Sequence, residues 1–473
     1  MSSASVVSFD EARHIVEEHA VRVLSARRDL AENEIVDILA ARGRVLAEPI
    51  LADRDFPPFH RATRDGYAVR EADVAQVPTQ LEVIGEIKAG DAAVDSVLHA
   101  AAQTSHPNVA KDAAFGWGTR GPITVNKGQA VSIMTGAPLP VGADAVVMIE
   151  YTAVSENSVE IQHSVASGEN FVPRGSEARV GQLLIDKGRR LDHALIALAA
   201  AVGKSRVQVF RKPRIAVLAT GDELVEIDVA PAAAQIRNSN SYSLAAQIEE
   251  VGGEPVRLAI APDEPKRLRE LLEEGLACDL LLIAGGVSMG KYDLVEQVLA
   301  ELKSEFYFTG ARIQPGKPIV FGACVCGAGV HVRVSATHEQ LSRRGASSTV
   351  AQGESAPHNP MPHYFFGLPG NPVSTMVTFR LFVQPIITAL AGARPEPLIF
   401  LKARLKAAMQ TKTGLTRFLP AVLSGTFDNA EIELAAWQGS GDIAALARAN
   451  CYLVVPPDRE RIDAGEWGSV LMP

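Results

Sequence analysis

The chain has only four cysteines in 473 residues. That is too few for a disulfide framework, and the expectation is reduced thiols in a cytoplasmic protein. A basic excess is also missing: 46 lysines and arginines face 55 acids, for a formal charge of −9. This argues against a general nucleic-acid binder, although a local basic pocket for a phosphorylated ligand stays open. No run of about 18 apolar residues occurs, so no membrane span is expected. The first residues, MSSASVVSFDEARHIV, lack the basic-then-apolar build of a signal peptide. What the chain does have is ordinary globular material, 47% hydrophobic and 21% charged, over a length that calls for about two to four domains.

Residues 8–47 read as helical in two segments, with Ser8 or Asp10 as a cap and the second segment over 33–47. Pro57-Pro58 excludes a helix in 53–70, and Asp65-Gly66 reads as a turn beside Arg54, Arg61 and Arg64. Composition alone favours a solvated ion pair there over a polyanion site. Residues 80–170 read as β structure, interrupted by an Ala- and Gly-rich stretch, 94–121, taken as a loop insertion. Helix returns over 181–202, started by Leu191-Asp192, and stops at Gly203.

From 213 strands alternate with helices, which implies a parallel, doubly wound sheet. Ligands in such sheets bind at the carboxyl ends of strands. Thr220 to Glu223, Asp263, the loop 285–293 and the loop 367–374 all fall there. Ser239-Asn240-Ser241 can cap a helix over 242–251. A Ser-, Gly- and Ala-rich segment, 323–362, reads as a second insertion. Its Cys324, Cys326, His331, His338 and His358 lack the spacing of a structural zinc site. Residues 398–473 read as a small β domain, in which Gln438-Gly439-Ser440-Gly441-Asp442 precedes a helix.

The most informative stretch is LLLIAGGVSMGKYDLVEQVL, 280–299. A buried strand empties through Gly285-Gly286 into a helix start, a common way to build an anion site. The spelling from Gly285 to Lys291 matches the first part of a P-loop, but Tyr292 stands where a P-loop needs Ser or Thr, which disfavours a triphosphatase. Single acids here have plain readings too. Asp65 can stabilise its turn, Asp263 can cap the helix begun at Glu264, Asp293 can favour its helix dipole and Ser440 can be an N-cap.

Together, RDGYAVR (64–70), IMTGAPLPVGADAVVMIEYT (133–152), ATGDEL (219–224), SNSYSL (239–244), AGGVSMGKYD (284–293), QPGKPIVFG (314–322), GLPGNPVS (367–374) and QGSGDIAALARAN (438–450) resemble the molybdopterin molybdenumtransferase family in order and over nearly the whole chain. These are the bacterial, MoeA-type relatives of the gephyrin E-domain. The resemblance implies a multidomain α/β plus β fold. A helical and extended linker domain would cover 7–48 and 171–210, and a mainly β domain 49–170. A central doubly wound α/β molybdopterin-binding domain would cover 211–394, and a small barrel-like β domain 397–473. It implies insertion of molybdate into adenylylated molybdopterin with magnesium and release of AMP, the last step of molybdenum cofactor synthesis. A non-catalytic scaffold of the same fold is the alternative. It also implies a homodimer, with the site between the α/β domain of one subunit and the β domain of the other. The upstream molybdopterin-adenylylating protein would be a partner, and neither nucleic acid nor membrane would be.

Carried over by the resemblance are Asp65, Thr135, Glu223, Asp263 and Asp293 as catalytic residues, with Glu223, Asp263 and Asp293 serving magnesium. Gly285, Gly286, Ser288, Lys317, Pro369, Gly370, Asn371 and Ser440 would bind the pterin substrate. The chain departs from the family pattern at three places. Ala62-Thr63-Arg64 replaces Ser-Ala-Met before the first Asp-Gly, Gln314 stands where Lys or Arg is frequent, and Pro420 stands where an arginine is frequent. Whether Arg417 replaces that last cation is left open.

Overall fold

The computed structural model describes residues 6–30, 32–91, 123–286, 294–324 and 362–473. Insertion 94–121 lies outside them, as do nearly all of 323–362, Ser288 and Asp293. The chain forms two compact units, one of residues 1–48, 187–196 and 206–473, the other of 49–186 and 197–205.

The first unit is built on a six-stranded sheet. Arg214–Ala219 lies between Glu254–Arg257 and Leu280–Ala284, and His363–Leu368 follows, all four parallel. The strands Leu280–Ala284 and His363–Leu368 are almost wholly buried, as expected of a sheet covered on both faces. The parallel expectation fails at one edge. Val320–Cys324 runs antiparallel to both His363–Leu368 and Ser304–Phe308. Residues 309–319 alone connect Ser304–Phe308 to Val320–Cys324, without a helix, whereas a parallel crossover takes about a dozen residues or more.

Helices cover the sheet. Pro265–Leu276 buries Leu268, Leu271, Leu272 and Leu276. The N-terminal helix Phe9–Leu30 starts from a reciprocal cap: Ser8 Oγ accepts from the Glu11 N–H, and the Glu11 carboxylate accepts from the Ser8 N–H. It buries Ala12, Val16, Ala20 and Val23 in the same core as Phe379, Phe382 and Ile386. That core also takes in Pro372–Leu390, which by length and composition could cross a membrane. Its apolar window is 78% buried inside the protein, so the core accounts for its hydrophobicity.

The helix expected over 33–47 is absent. Asn33–Asp37 is instead a strand paired antiparallel with Arg206–Phe210, followed by a 3-10 turn at Leu39–Ala41. Ile35 and Leu39, at helical spacing, are 63% and 79% exposed. The β-branched Ile35 and Val36 suit the ladder that the distant strand offers.

Five strands of the C-terminal region, Phe400–Leu405, Thr416–Thr426, Asn429–Leu434, Cys451–Val455 and Trp467–Leu471, close into a barrel. Leu405, Leu419, Ile432, Leu453 and Val470 fill it. Ile313–Gln314 joins the barrel from outside, parallel to its Thr416–Thr426 strand.

The second unit holds a six-stranded sheet with Gly66–Val69 between Gln129–Ile133 and Ala145–Met148. A side chain at Gly66 would run into the Val147 carbonyl, so the sheet itself requires this glycine. Cys278 and Cys451 are free and buried.

Candidate active site

Three parallel strands end together in loops that carry the predicted residues. After Ala219, the Thr220 N–H donates to the Ala284 carbonyl at 3.1 Å, and the Gly285 N–H donates to the Leu368 carbonyl at 3.1 Å. Gly285 has φ +95°, and a Cβ there would stand 2.8 Å from the Thr220 carbonyl oxygen. Gly286 has φ +62°, and a Cβ would meet Thr220 Oγ1 at 2.6 Å and Val295 Cγ2 at 2.7 Å. Only glycine fits either position. A Cβ on Gly370 would lie 3.6 Å from Gly285 Cα, so the two loops approach backbone to backbone. Asn240 Nδ2 donates to the Gly370 carbonyl at 2.7 Å and ties a fourth loop to this floor. Beneath it the buried Thr220 hydroxyl has no hydrogen-bond partner among the described residues.

The acids stand beside the floor. Gly221, at φ +138°, turns the chain, and a side chain there would strike the Glu223 carboxylate. Asp222 Oδ1 accepts from the Asp263 N–H at 3.1 Å. Asp263 is pushed above the ordinary carboxylate range by burial first, then by Asp222 and Glu223. The structure therefore joins Glu223 to Asp263 as expected and adds Asp222, which the sequence reading passed over. Asp263 does not cap the helix Pro265–Leu276, whose N-cap is Glu264. Crowded carboxylates whose charges oppose one another suit a hard, oxygen-seeking divalent cation. Among the described residues no group of three His, Cys, Asp or Glu is gathered closely enough to hold a metal ion, and Asp293 lies outside those residues.

The Pro369-Gly370-Asn371 turn leads into the helix Pro372–Thr378, with proline in its first turn. Thr375 Oγ1 donates to the Pro369 carbonyl at 2.5 Å and fixes the turn. Asn371 Nδ2 donates to Ser440 Oγ at 2.8 Å, and the Val373 N–H donates to the Ser440 carbonyl at 3.0 Å. Ser440 is thus not an N-cap. Asp442 caps Ile443–Arg448 by accepting from the Ala445 N–H at 2.9 Å, and it also accepts from the Gln438 N–H at 3.1 Å. Residues 438–442 line an open hollow. Lys317 is exposed and follows Gly316, whose φ is +104°. Its own carbonyl accepts from the Ala311 and Ile319 N–H groups, both at 3.0 Å.

In the second unit Asp65 Oδ1 accepts from the Thr135 N–H at 2.6 Å. That bond, then one from the Thr135 side chain, holds Asp65 below the usual carboxylate range. The two residues read as site partners are therefore direct neighbours, on an exposed turn.

Three family models match the chain in order: "MoeA N-terminal region (domain I and II)" over 7–203, "Probable molybdopterin binding domain" over 216–389 and "MoeA C-terminal region (domain IV)" over 402–472. A molybdopterin molybdenumtransferase of Nostoc sp. is 33% identical over 92% of this chain and 87% of its own length. One of Bacillus subtilis is 30% identical over 96% and 93%. Among solved structures, a molybdopterin biosynthesis MoeA protein of Pyrococcus horikoshii covers 99% of this chain and 100% of its own, with a TM-score of 0.69 and 26% identity.

Proposed function

The chain belongs to the molybdopterin molybdenumtransferase family, and on that premise we propose that it inserts molybdate into adenylylated molybdopterin and releases AMP. The observation that carries the reading is the strand-end floor of bare backbone at Gly285, Gly286 and Gly370, with Glu223 and Asp263 beside it. A phosphoanhydride needs close-packed backbone donors and a way to offset its charge. With the Gly285 N–H already given to the Leu368 carbonyl, the main chain at Gly286, the Asn371 turn and Lys317 would hold its phosphates. Ser440, steadied by Asn371, would hydrogen-bond the pterin or the oxyanion, and Asp65 would keep Thr135 fixed for the same task. Glu223 and Asp263, with Asp293, would hold magnesium, which supplies charge neutralisation at the phosphoryl oxygens when bound. Relief of the repulsion at Asp263 favours that assignment.

A homodimer, a cytoplasmic setting and delivery of substrate by a molybdopterin-adenylylating protein belong to the same proposal. The test is incubation with adenylylated molybdopterin, molybdate and magnesium, following AMP. Release of AMP that depends on molybdate and magnesium is the expected result. Folded, dimeric protein that releases none above background would leave the scaffold alternative in its place.

A further inference from the structure

At the opposite end of the same sheet lies a hollow of about 250 Å³, lined by Glu32, Arg211, Arg214, Ala277, Cys278 and Asp279. All six belong to the first unit. Arg214 opens the six-residue strand Arg214–Ala219, and Asp279 stands just before Leu280–Ala284. The strand-end floor follows the far ends of these strands, about 17 Å of extended chain away. No residue named for the floor lines this hollow.

Its charges do not balance. Asp279 is committed: both its oxygens lie 3.3 Å from Arg211 Nη2, and Oδ2 also accepts from the Arg214 N–H at 2.7 Å. Glu32 Oε2 lies 2.8 Å from Arg211 Nε, yet that buried Nε makes no aligned hydrogen bond, and the Glu32 side chain is 74% exposed. The Arg214 guanidinium has no ion pair among the described residues. Behind the wall stands Arg27, only 9% exposed. Its Nε is buried without a partner among the described residues, and its Nη2 makes a long bond of 3.4 Å to the Arg211 carbonyl. The charges it feels are Asp279, Arg211 and Glu32, all of them lining residues. Burial raises the pKa of the Cys278 thiol, which therefore adds no negative charge at neutral pH. Three guanidiniums thus share two carboxylates, and one of those carboxylates sits on a side chain that is mostly in solvent.

Buried guanidinium charge is costly until an anion meets it, and phosphate oxygens suit the donor fork of arginine. We propose that this hollow binds the phosphate group of a small molecule, which displaces the Glu32 carboxylate from Arg211 and engages Arg214 directly. Exchanging a monoanion for a near-dianion closes the balance that Glu32 leaves open. The volume is below that of pockets for drug-sized ligands, so the occupant is inorganic phosphate or a short phosphomonoester. The proposal does not rest on the transferase reading.

Alkylation of Cys278 in the full chain, followed by the mass of its peptide, reads occupancy at the wall of the hollow. Inorganic phosphate and glycerol 3-phosphate are titrated separately, against chloride at equal ionic strength. Phosphate should slow alkylation at least fivefold. Arg214→Gln changes an exposed side chain and should raise the half-protecting concentration at least tenfold. Glu32→Gln is the sharper variant: it removes the competing carboxylate, so that concentration should fall at least threefold. A purely structural Glu32–Arg211 pair predicts no such gain. Phosphate held only at the strand-end floor would protect the parent and both variants alike. That result overturns the proposal, as does a parent that neither ligand protects. Protection by the ester at a lower concentration than inorganic phosphate assigns an organic ligand, and equal concentrations assign the phosphate group alone.

Discussion

Replacing Gly285 by alanine tests whether the strand-end floor depends on a missing side chain. At φ +95° the new Cβ would stand 2.8 Å from the Thr220 carbonyl oxygen and 3.3 Å from its hydroxyl. The carbonyl cannot swing aside freely, because the Gly221 N–H of the same peptide unit donates to the Ala261 carbonyl at 3.2 Å and the Thr220 N–H donates to the Ala284 carbonyl on the adjoining strand. Two costs follow, about 1 kcal/mol for an L-residue in left-handed backbone and about 1–3 kcal/mol for overpacking against fixed atoms. Gly414 is the control. It lies in the same unit with φ +98° and nothing within 4 Å of its Cβ position. Gly414→Ala should therefore cost about 1 kcal/mol and Gly285→Ala about 2–4 kcal/mol. Urea unfolding of the first unit reads the difference, and AMP release by Gly285→Ala should fall at least tenfold. If Gly285→Ala unfolds no earlier than Gly414→Ala, close approach is not why glycine stands there.

His19 is buried against Tyr307 and within 3.2 Å of the Tyr364 hydroxyl; burial first, then Arg22, pulls its pKa down to about 4. Protonation therefore favours the unfolded chain. Stability is full above about pH 6.5 and is lost toward pH 4, by about 3 kcal/mol at most, and a His19→Asn variant should lack that slope in thermal unfolding. Asp442→Ala removes two backbone acceptor bonds and should cost about 1 kcal/mol, read as an earlier urea midpoint. Asp263→Asn should leave the metal-free thermal midpoint unchanged or slightly raised, since its raised pKa means the charge opposes folding above its titration. AMP release should fall at least tenfold, and full turnover would remove Asp263 from the site.

The strand-end floor was legible because its signals are local. A fully apolar LLLIA reads as a buried strand, and two glycines after it read as close backbone approach. The barrel and the β unit were legible from short strands and turns. Segment 33–47 was not, because a partner strand some 170 residues away decides its conformation. Ser239 looked like a cap, yet Asn238 Oδ1 is what accepts from the Ser241 N–H, at 3.1 Å. Asp222 gained its place only through the Asp263 backbone. Arg417 and Gln314 meet across 103 positions; no periodicity encodes such a contact. The activity itself came from family resemblance and not from any spacing.

On the proposed function the barrel belongs to the site rather than being an appendage to it. Its Ser440 loop accepts two hydrogen bonds from the turn and helix start that follow the sheet, at Asn371 and Val373. Its Thr416–Thr426 strand takes Ile313–Gln314 as a neighbour and places Arg417 against Gln314. Both attachments border Pro372–Thr378, one at its first turn and the other at Ser374 and Thr378 through Gly316. One short helix therefore meets the barrel's Ser440 loop at its first turn and the 313–317 segment at Ser374 and Thr378.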